Sequence, residues 1–249
     1  MSRERLSQPC DNDRLGTYTS LYGISFEEEA THTVTLGIGF VDPSDGVIAV
    51  DGRLKRGDIV RSETVLKSMR LNDRLAVAFA GRMGDIRRLQ EVLAPDYSWS
   101  DSIQFCQDWE DQALSVPYGY ANARNRLAVE MRRLRKEIQP GDDRAVGVLL
   151  IGKARGAPVL WGWDTGDADK PKEYTHGVAI VGARPKTGSP GLRALLRILE
   201  GDRTAKRAEG RLSRGIRYCA DDLGNPDINA NVSTRRLSEK NLCRWHMSD

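Results

Sequence analysis

The apolar positions divide the chain into strand-like runs, helical stretches and a polar start. Met1 to Ala30 carries no sustained hydrophobic period and closes on an acidic cluster, Glu27-Glu28-Glu29. Residues 1–32 are therefore expected to be a leader, a propeptide or a loosely docked arm. Patterned sequence begins with Thr33-Val34-Thr35-Leu36-Gly37-Ile38-Gly39-Phe40-Val41, a β-branched and apolar run of strand length. Asp42-Pro43-Ser44-Asp45-Gly46 follows as a turn, with Pro fixing φ and Gly free to take φ > 0. Val47-Ile48-Ala49-Val50 then runs into Asp51 and completes a hairpin.

A second strand pair is predicted over Arg61 to Leu71 and Leu75 to Ala80, joined at Asn72-Asp73. Leu75-Ala76-Val77-Ala78-Phe79-Ala80 is apolar at every position, the mark of a strand covered on both faces. Gly81 ends it. A helix is expected from Gly84-Asp85, with Ile86, Leu89, Val92 and Leu93 at helical spacing. Ser100 to Ile138 reads as a broken helical stretch, punctuated at Pro117-Tyr118-Gly119. Strands are expected at Ala145–Ile151, Pro158–Trp163 and Gly177–Val181, helices at Pro190–Leu199 and Ala205–Leu223, and a last strand at Ile228–Thr234. Paired strands, two helices, more strands and two more helices is the order of a layered α+β domain. It would occupy residues 33–235, with 236–249 as a C-terminal tail.

Composition narrows the function classes. The 249 residues fit one large domain with or without tails. Charged residues make up 29% of the chain, yet the 38 basic and 35 acidic side chains leave a formal charge of only +3, which does not call for nucleic acid as a partner. No apolar run approaches the ~18 residues of a membrane span. The start lacks the apolar core of a signal peptide, so the cytoplasm is the expected compartment. Cys10, Cys106, Cys219 and Cys243 form no CxxC pair, and His32, His176 and His246 form no HExxH pattern. Neither a metal nor a cofactor is expected. There is no Walker A loop, and Gly188-Ser189-Pro190-Gly191 has the wrong spacing for a nucleophile elbow. In Met131-Arg132-Arg133-Leu134-Arg135-Lys136 the basic side chains fall opposite a face made by Leu127, Met131, Leu134 and Ile138, which reads as a solvated helix face.

What remains is an ordered set: Thr33 to Ile38, Gly46-Val47-Ile48-Ala49-Val50-Asp51-Gly52-Arg53, Thr64-Val65-Leu66-Lys67 and Ala78-Phe79-Ala80-Gly81. This set resembles the amino-terminal half of proteasome β subunits, and is similar to the peptidase subunit of the bacterial ATP-dependent proteasome-like protease. The resemblance runs from Thr33 to about Leu93. It implies the four-layer α/β/β/α sandwich of N-terminal-nucleophile hydrolases. It also implies a threonine peptidase whose nucleophile, Thr33, has its own freed α-amine as base. Lys67 would keep the local field positive, Asp51 would hold Lys67, and the N–H of Gly81 would receive the oxyanion. Arg53 would support the loop of Asp51, and Asp221 (or Asp222) would orient the amine. Leu54, Val65, Phe79 and Met83 match the lining of an apolar specificity pocket.

The family has glycine before its nucleophile; here His32 precedes Thr33, and Ala30 precedes the competing Thr31. A serine expected near the end of the fold is replaced by Gly224, and Thr187 or Ser189 matches a further hydroxyl position. The partners implied are further copies of the chain in stacked rings, unfolded protein or peptide substrates, and an ATP-dependent unfoldase. Two other functions fit the same residues: a catalytically inactive ring or scaffold subunit, and an N-terminal-nucleophile amidase acting on small molecules.

Overall fold

The structure is a computed structural model that describes residues 35–56, 59–62, 67–95, 116–138, 145–165, 170–182, 205–222, 228, 230–237 and 244–248. Within these residues the chain is a mixed α+β protein with two antiparallel five-stranded sheets and a separate two-stranded hairpin. The first sheet has the order β10-β1-β2-β11-β12, from β1 (Leu36–Val41), β2 (Gly46–Asp51), β10 (Gly177–Gly182), β11 (Val232–Leu237) and β12 (Arg244–Ser248). The second has the order β5-β6-β7-β8-β9, from β5 (Ser68–Asn72), β6 (Leu75–Ala80), β7 (Gly147–Ala154), β8 (Ala157–Asp164) and β9 (Lys172–Tyr174). The hairpin pairs β3 (Leu54–Arg56) with β4 (Ile59–Ser62).

The β6 run shows why this sequence stacks in layers. Every residue of Leu75–Ala80 is buried, and the period-two alternation of a strand sends them to two different interiors. Leu75, Val77 and Phe79 join a cluster with Leu89 and Leu93 of α1 (Met83–Leu93) and Leu127, Met131 and Leu134 of α2 (Tyr120–Glu137). Ala76, Ala78 and Ala80 instead meet Ile48, Val50, Leu149 and Val181 in a cluster shared by the two sheets. On the first sheet, Leu36, Ile38, Phe40, Val47 and Ala49 pack with Leu212, Ile216 and Cys219 of α3 (Ala205–Asp222).

Small residues bring the two sheets close. A Cβ on Gly39 would sit 2.7 Å from Leu160, and one on Gly147 would sit 2.6 Å from Val181. Truncating a filled position such as Leu149, fully buried between the sheets, would cost about 2–5 kcal/mol.

Most expected elements form. The turn after β1 is closed by Asp42, whose Oδ1 accepts the N–H groups of Ser44 and Asp45 at 2.7 and 2.8 Å. The α2 face behaves as its spacing requires: Leu127, Met131 and Leu134 are buried, while Arg132, Arg133, Arg135 and Lys136 are exposed.

Three expectations change. The single strand expected over Arg61–Leu71 is divided between β4, which pairs with β3, and β5, which pairs with β6. Apolar patterning cannot mark the point where a chain leaves one sheet for another. The last strand expected at Ile228–Thr234 lies later, at Val232–Leu237. The edge strand β12 pairs with it, inside the stretch expected to be a tail. The helix expected at Pro190–Leu199 lies outside the described residues, as does residues 1–34. No helix among the described residues is long and apolar enough to cross a membrane.

Candidate active site

Polar groups gather where β1 begins and β2 ends. In the β1–β2 pairing Gly37 faces Val50, so Asp51, the last residue of β2, comes level with Leu36. The Asp51 carboxylate is wholly buried, and a buried carboxylate requires partners. Its Oδ1 accepts the Leu36 N–H at 2.9 Å, and its Oδ2 accepts the Arg53 N–H at 3.0 Å. The remaining partner is an ammonium: Lys67 Nζ lies 3.4 Å from Oδ2, with the Lys67 side chain 2% exposed.

Lys67 immediately precedes β5, and its carbonyl accepts the Phe79 N–H of β6 at 2.9 Å, so its backbone is held by the neighbouring strand. Its Nζ also donates to Thr35 Oγ1 at 2.5 Å. One ammonium therefore joins a carboxylate and a threonine hydroxyl in a water-poor setting. Burial raises the pKa of the Asp51 carboxyl above its ordinary value; the Lys67 charge and the two backbone N–H bonds oppose that rise.

Thr35 is fixed from other directions too. Its carbonyl oxygen lies against Gly182, the last residue of β10, where a Cβ would overlap that oxygen. Gly182 has φ +82°, and its N–H donates to Asp164 Oδ2 at 2.6 Å. Behind Lys67, Ser68 Oγ lies 3.5 Å from Ser233 Oγ, and buried Arg235 reaches Ser68 Oγ and the Ser68 carbonyl at 3.3 and 3.4 Å.

The other expected residues distribute as follows. Gly81 follows β6 directly with φ +129°, and a Cβ there would lie 2.9 Å from the Ala145 carbonyl oxygen, so both its backbone and its surroundings demand glycine. The contact of Arg53 with Asp51 is the backbone N–H bond to Oδ2 already described. Phe79 is buried beneath α1 and α2, and Met83, the first residue of α1, packs at the border of the same cluster. Leu54 opens β3, and Asp221 lies in the last turn of α3. Thr33, Thr31, Val65, Thr187, Ser189 and Gly224 lie outside the described residues.

The structure thus brings Asp51 and Lys67 together, and sets Thr35 beside them. Neither Thr35 nor the Ser68–Ser233–Arg235 group was singled out from sequence. Thr35 had a signal: with the turn at Asp42–Asp45, counting back across the hairpin from Asp51 ends at Leu36, and Thr35 is the next residue outward. Ser233 and Arg235 had none, because a buried arginine on a strand is indistinguishable in sequence from an exposed one.

The comparisons with known proteins bear on this same part of the chain. Residues 33–98 match the family described as proteasome subunit. The matched stretch contains β1 to α1, together with Thr35, Asp51, Lys67 and Gly81. No curated protein matches the chain.

Proposed function

We propose that this chain, proteasome-like over residues 33–98, is a threonine peptidase that hydrolyses peptide bonds within a ring of its own copies. The observation that carries this reading is the buried Lys67 ammonium held between the Asp51 carboxylate and a threonine hydroxyl. A threonine hydroxyl is a weak nucleophile until a base takes its proton and a positive field stabilises the alkoxide. A buried ammonium supplies that field at short range, where low dielectric strengthens it. A freed α-amine of the same threonine, Thr35 in place of the Thr33 expected from the sequence, would serve as base, and the N–H of Gly81 would receive the oxyanion of the tetrahedral intermediate. Arg53 would hold Asp51 in place, and Asp221 would orient the amine. Leu54, Val65, Phe79 and Met83 would line an apolar pocket suited to a hydrophobic side chain before the scissile bond. The two sheets, with α1 and α2 outside one and α3 outside the other, support a four-layer α/β/β/α reading.

Substrates would be unfolded protein or peptides, delivered by an ATP-dependent unfoldase to sites enclosed by stacked rings in the cytoplasm. Closed cyclic symmetry is the ordinary outcome of head-to-tail contacts between identical chains. The test is hydrolysis of a short fluorogenic peptide ending in Leu, Tyr or Phe by the assembled protein. Lys67→Ala is expected to reduce the rate by about 10²–10⁴-fold. Unchanged hydrolysis in that variant would place the activity elsewhere. Light scattering should give a particle of ring size, and a monodisperse monomer would remove the chambered arrangement.

A further inference from the structure

We propose that Asp164 and Thr165, at the end of β8, are positioning residues that hold the threonine hydroxyl and the Gly81 N–H at a working separation. The inference rests on the threonine-peptidase reading and deepens it. Both residues lie outside the matched stretch 33–98, just past the strand expected at Pro158–Trp163. The reaction needs two groups that the fold supplies from different sheets. The hydroxyl belongs to Thr35, which precedes β1 of the first sheet, and the oxyanion donor to Gly81, which follows β6 of the second. Their separation depends on how the two sheets are tied together at this end. Arg235 makes one such tie, from β11 to Ser68 behind Lys67. Asp164 makes another.

Asp164 is the last residue of β8 and is paired with Gly147 of β7, so it belongs to the second sheet. Its Oδ2 accepts the N–H of Gly182, the last residue of β10 in the first sheet, at 2.6 Å. The approach is possible because Gly147 and Gly182 carry no side chains. A Cβ on Gly147 would lie 3.1 Å from the Gly182 nitrogen, and one on Gly182 would lie 2.8 Å from the Ala80 Cβ. Gly182 is paired with Leu36, and the Thr35 carbonyl oxygen rests against it. Asp164 is only 5% exposed, and a carboxylate at that depth bonds strongly to a fixed N–H. A side chain of the second sheet thus anchors the backbone on which Thr35 sits.

Thr165 acts on the other group. Its N–H donates to the Val146 carbonyl at 2.9 Å, and its Oγ1 accepts the Val146 N–H at 2.8 Å. Both backbone groups of Val146 are therefore engaged by one residue. Val146 in turn lies beneath Gly81: a Cβ on Gly81 would sit 3.1 Å from the Val146 Cα. With φ +129°, Gly81 holds a conformation that glycine alone adopts readily, so the direction of its N–H depends on this support. Two consecutive residues, one through a carboxylate and one through a hydroxyl, fix the nucleophile side and the oxyanion side of one reaction. A shift of about 1 Å between such groups can slow a reaction about 10²-fold, even when the residue responsible touches no substrate.

The experiment compares Thr165→Val with Thr165→Ser, and Asp164→Leu with Asp164→Asn, in the full chain after incubation under conditions that support assembly. Hydrolysis of the short fluorogenic peptide gives kcat and KM. Inhibition by a peptide aldehyde, which takes up the threonine hydroxyl as a hemiacetal, gives the affinity for an adduct whose oxygen needs the Gly81 N–H. Thr165→Val keeps the volume and loses the acceptor. It should lower kcat by about 10–10²-fold, weaken the aldehyde in parallel and leave KM within about threefold. Asp164→Leu should do the same. Thr165→Ser and Asp164→Asn keep an acceptor oxygen and should stay within about threefold of the wild-type kcat. All rates are read on folded protein below each variant's melting temperature, where a tie that only adds stability would move neither kcat nor aldehyde affinity. Wild-type values in Thr165→Val, or equal losses in Thr165→Ser, overturn the positioning assignment and leave the peptidase reading in place. If Asp164→Leu does not fold, the Thr165 pair decides alone. A wild type that neither hydrolyses the peptide nor binds the aldehyde overturns both.

Discussion

Two charged clusters, one at the β1–β2 end of the sheets and one between α1 and α2, use the same kinds of side chain to opposite ends. Between the helices, Arg88 reaches Glu130 at 2.7 Å and Glu137 at 2.5 Å, and Arg133 adds a second contact to Glu130 at 3.3 Å. Each charge there faces an opposite charge, and most of the cluster touches solvent. The bonds to Glu137 and Glu130 raise the pKa of Arg88 further above its ordinary value, so the group is locked in one state. In the other cluster the cation is buried, and one of its bonds goes to a neutral hydroxyl. A pair that satisfies itself is a fastening. A buried cation aimed at a hydroxyl has charge to spare for one that develops during a reaction.

Replacing the two lysine- and glutamate-centred hubs separates these roles most sharply. Lys67→Ala leaves the buried Asp51 carboxylate without its counter-charge, which should cost about 3–5 kcal/mol of stability, in addition to the loss of hydrolysis. Thermal unfolding and the peptide assay on the same preparation would measure both. A variant that lost stability but kept its rate would reduce the Lys67 cluster to a second fastening. Gly81→Ala probes the same end of the molecule without touching a charge. With φ +129° and a carbonyl oxygen 2.9 Å from the added Cβ, it should cost about 1–3 kcal/mol and lower the hydrolysis rate by displacing the N–H offered to the oxyanion. Retention of full activity would remove Gly81 from the chemistry.

The difference between the clusters was only partly legible in the sequence. The layers were legible, because six consecutive apolar residues in β6 have no use unless both faces of the strand are covered. Asp51 and Lys67 were legible as a pair through the ordered motifs that carry them. Thr35 was not, because a β-branched residue early in an apolar run looks like any other strand residue until the pairing register is counted. The division between β4 and β5 was hidden for a related reason: both halves are strands, and what differs is which partner each one finds. The Arg88–Glu130 contact joins residues far apart in sequence across two helices, and no periodicity within either helix announces it.

The helix cluster supplies the next test. Glu130 has its side chain 5% exposed with two arginines directed at it, so Glu130→Ala should cost about 1–3 kcal/mol through the unpaired groups left behind. Peptide hydrolysis by the folded variant should be unchanged. A lower melting temperature with an unaltered rate at permissive temperature would mark this cluster as structural. A lost rate would mean that α1 and α2 communicate with the site, for which Met83 and Phe79 offer the packed route.

The smallest effect expected, and the one that compares the clusters in a single titration, concerns pH. An unfolded aspartate titrates near 3.8, whereas burial lifts Asp51 above that value. Between the two values the native chain holds a proton that the unfolded chain has released. Stability therefore falls as pH rises through this window, since the native state binds more protons than the unfolded one. Activity should move the other way, because only the ionised Asp51 holds the Lys67 ammonium by charge. The signature is a rate that climbs while the melting temperature declines, over a range beginning above the ordinary carboxylate pKa. Asp51→Asn should remove this contribution to the stability slope, and Glu130→Gln should leave it in place. If rate and melting temperature rose together across the window, Asp51 would be ionised throughout, and the acid limb of activity would belong to another group.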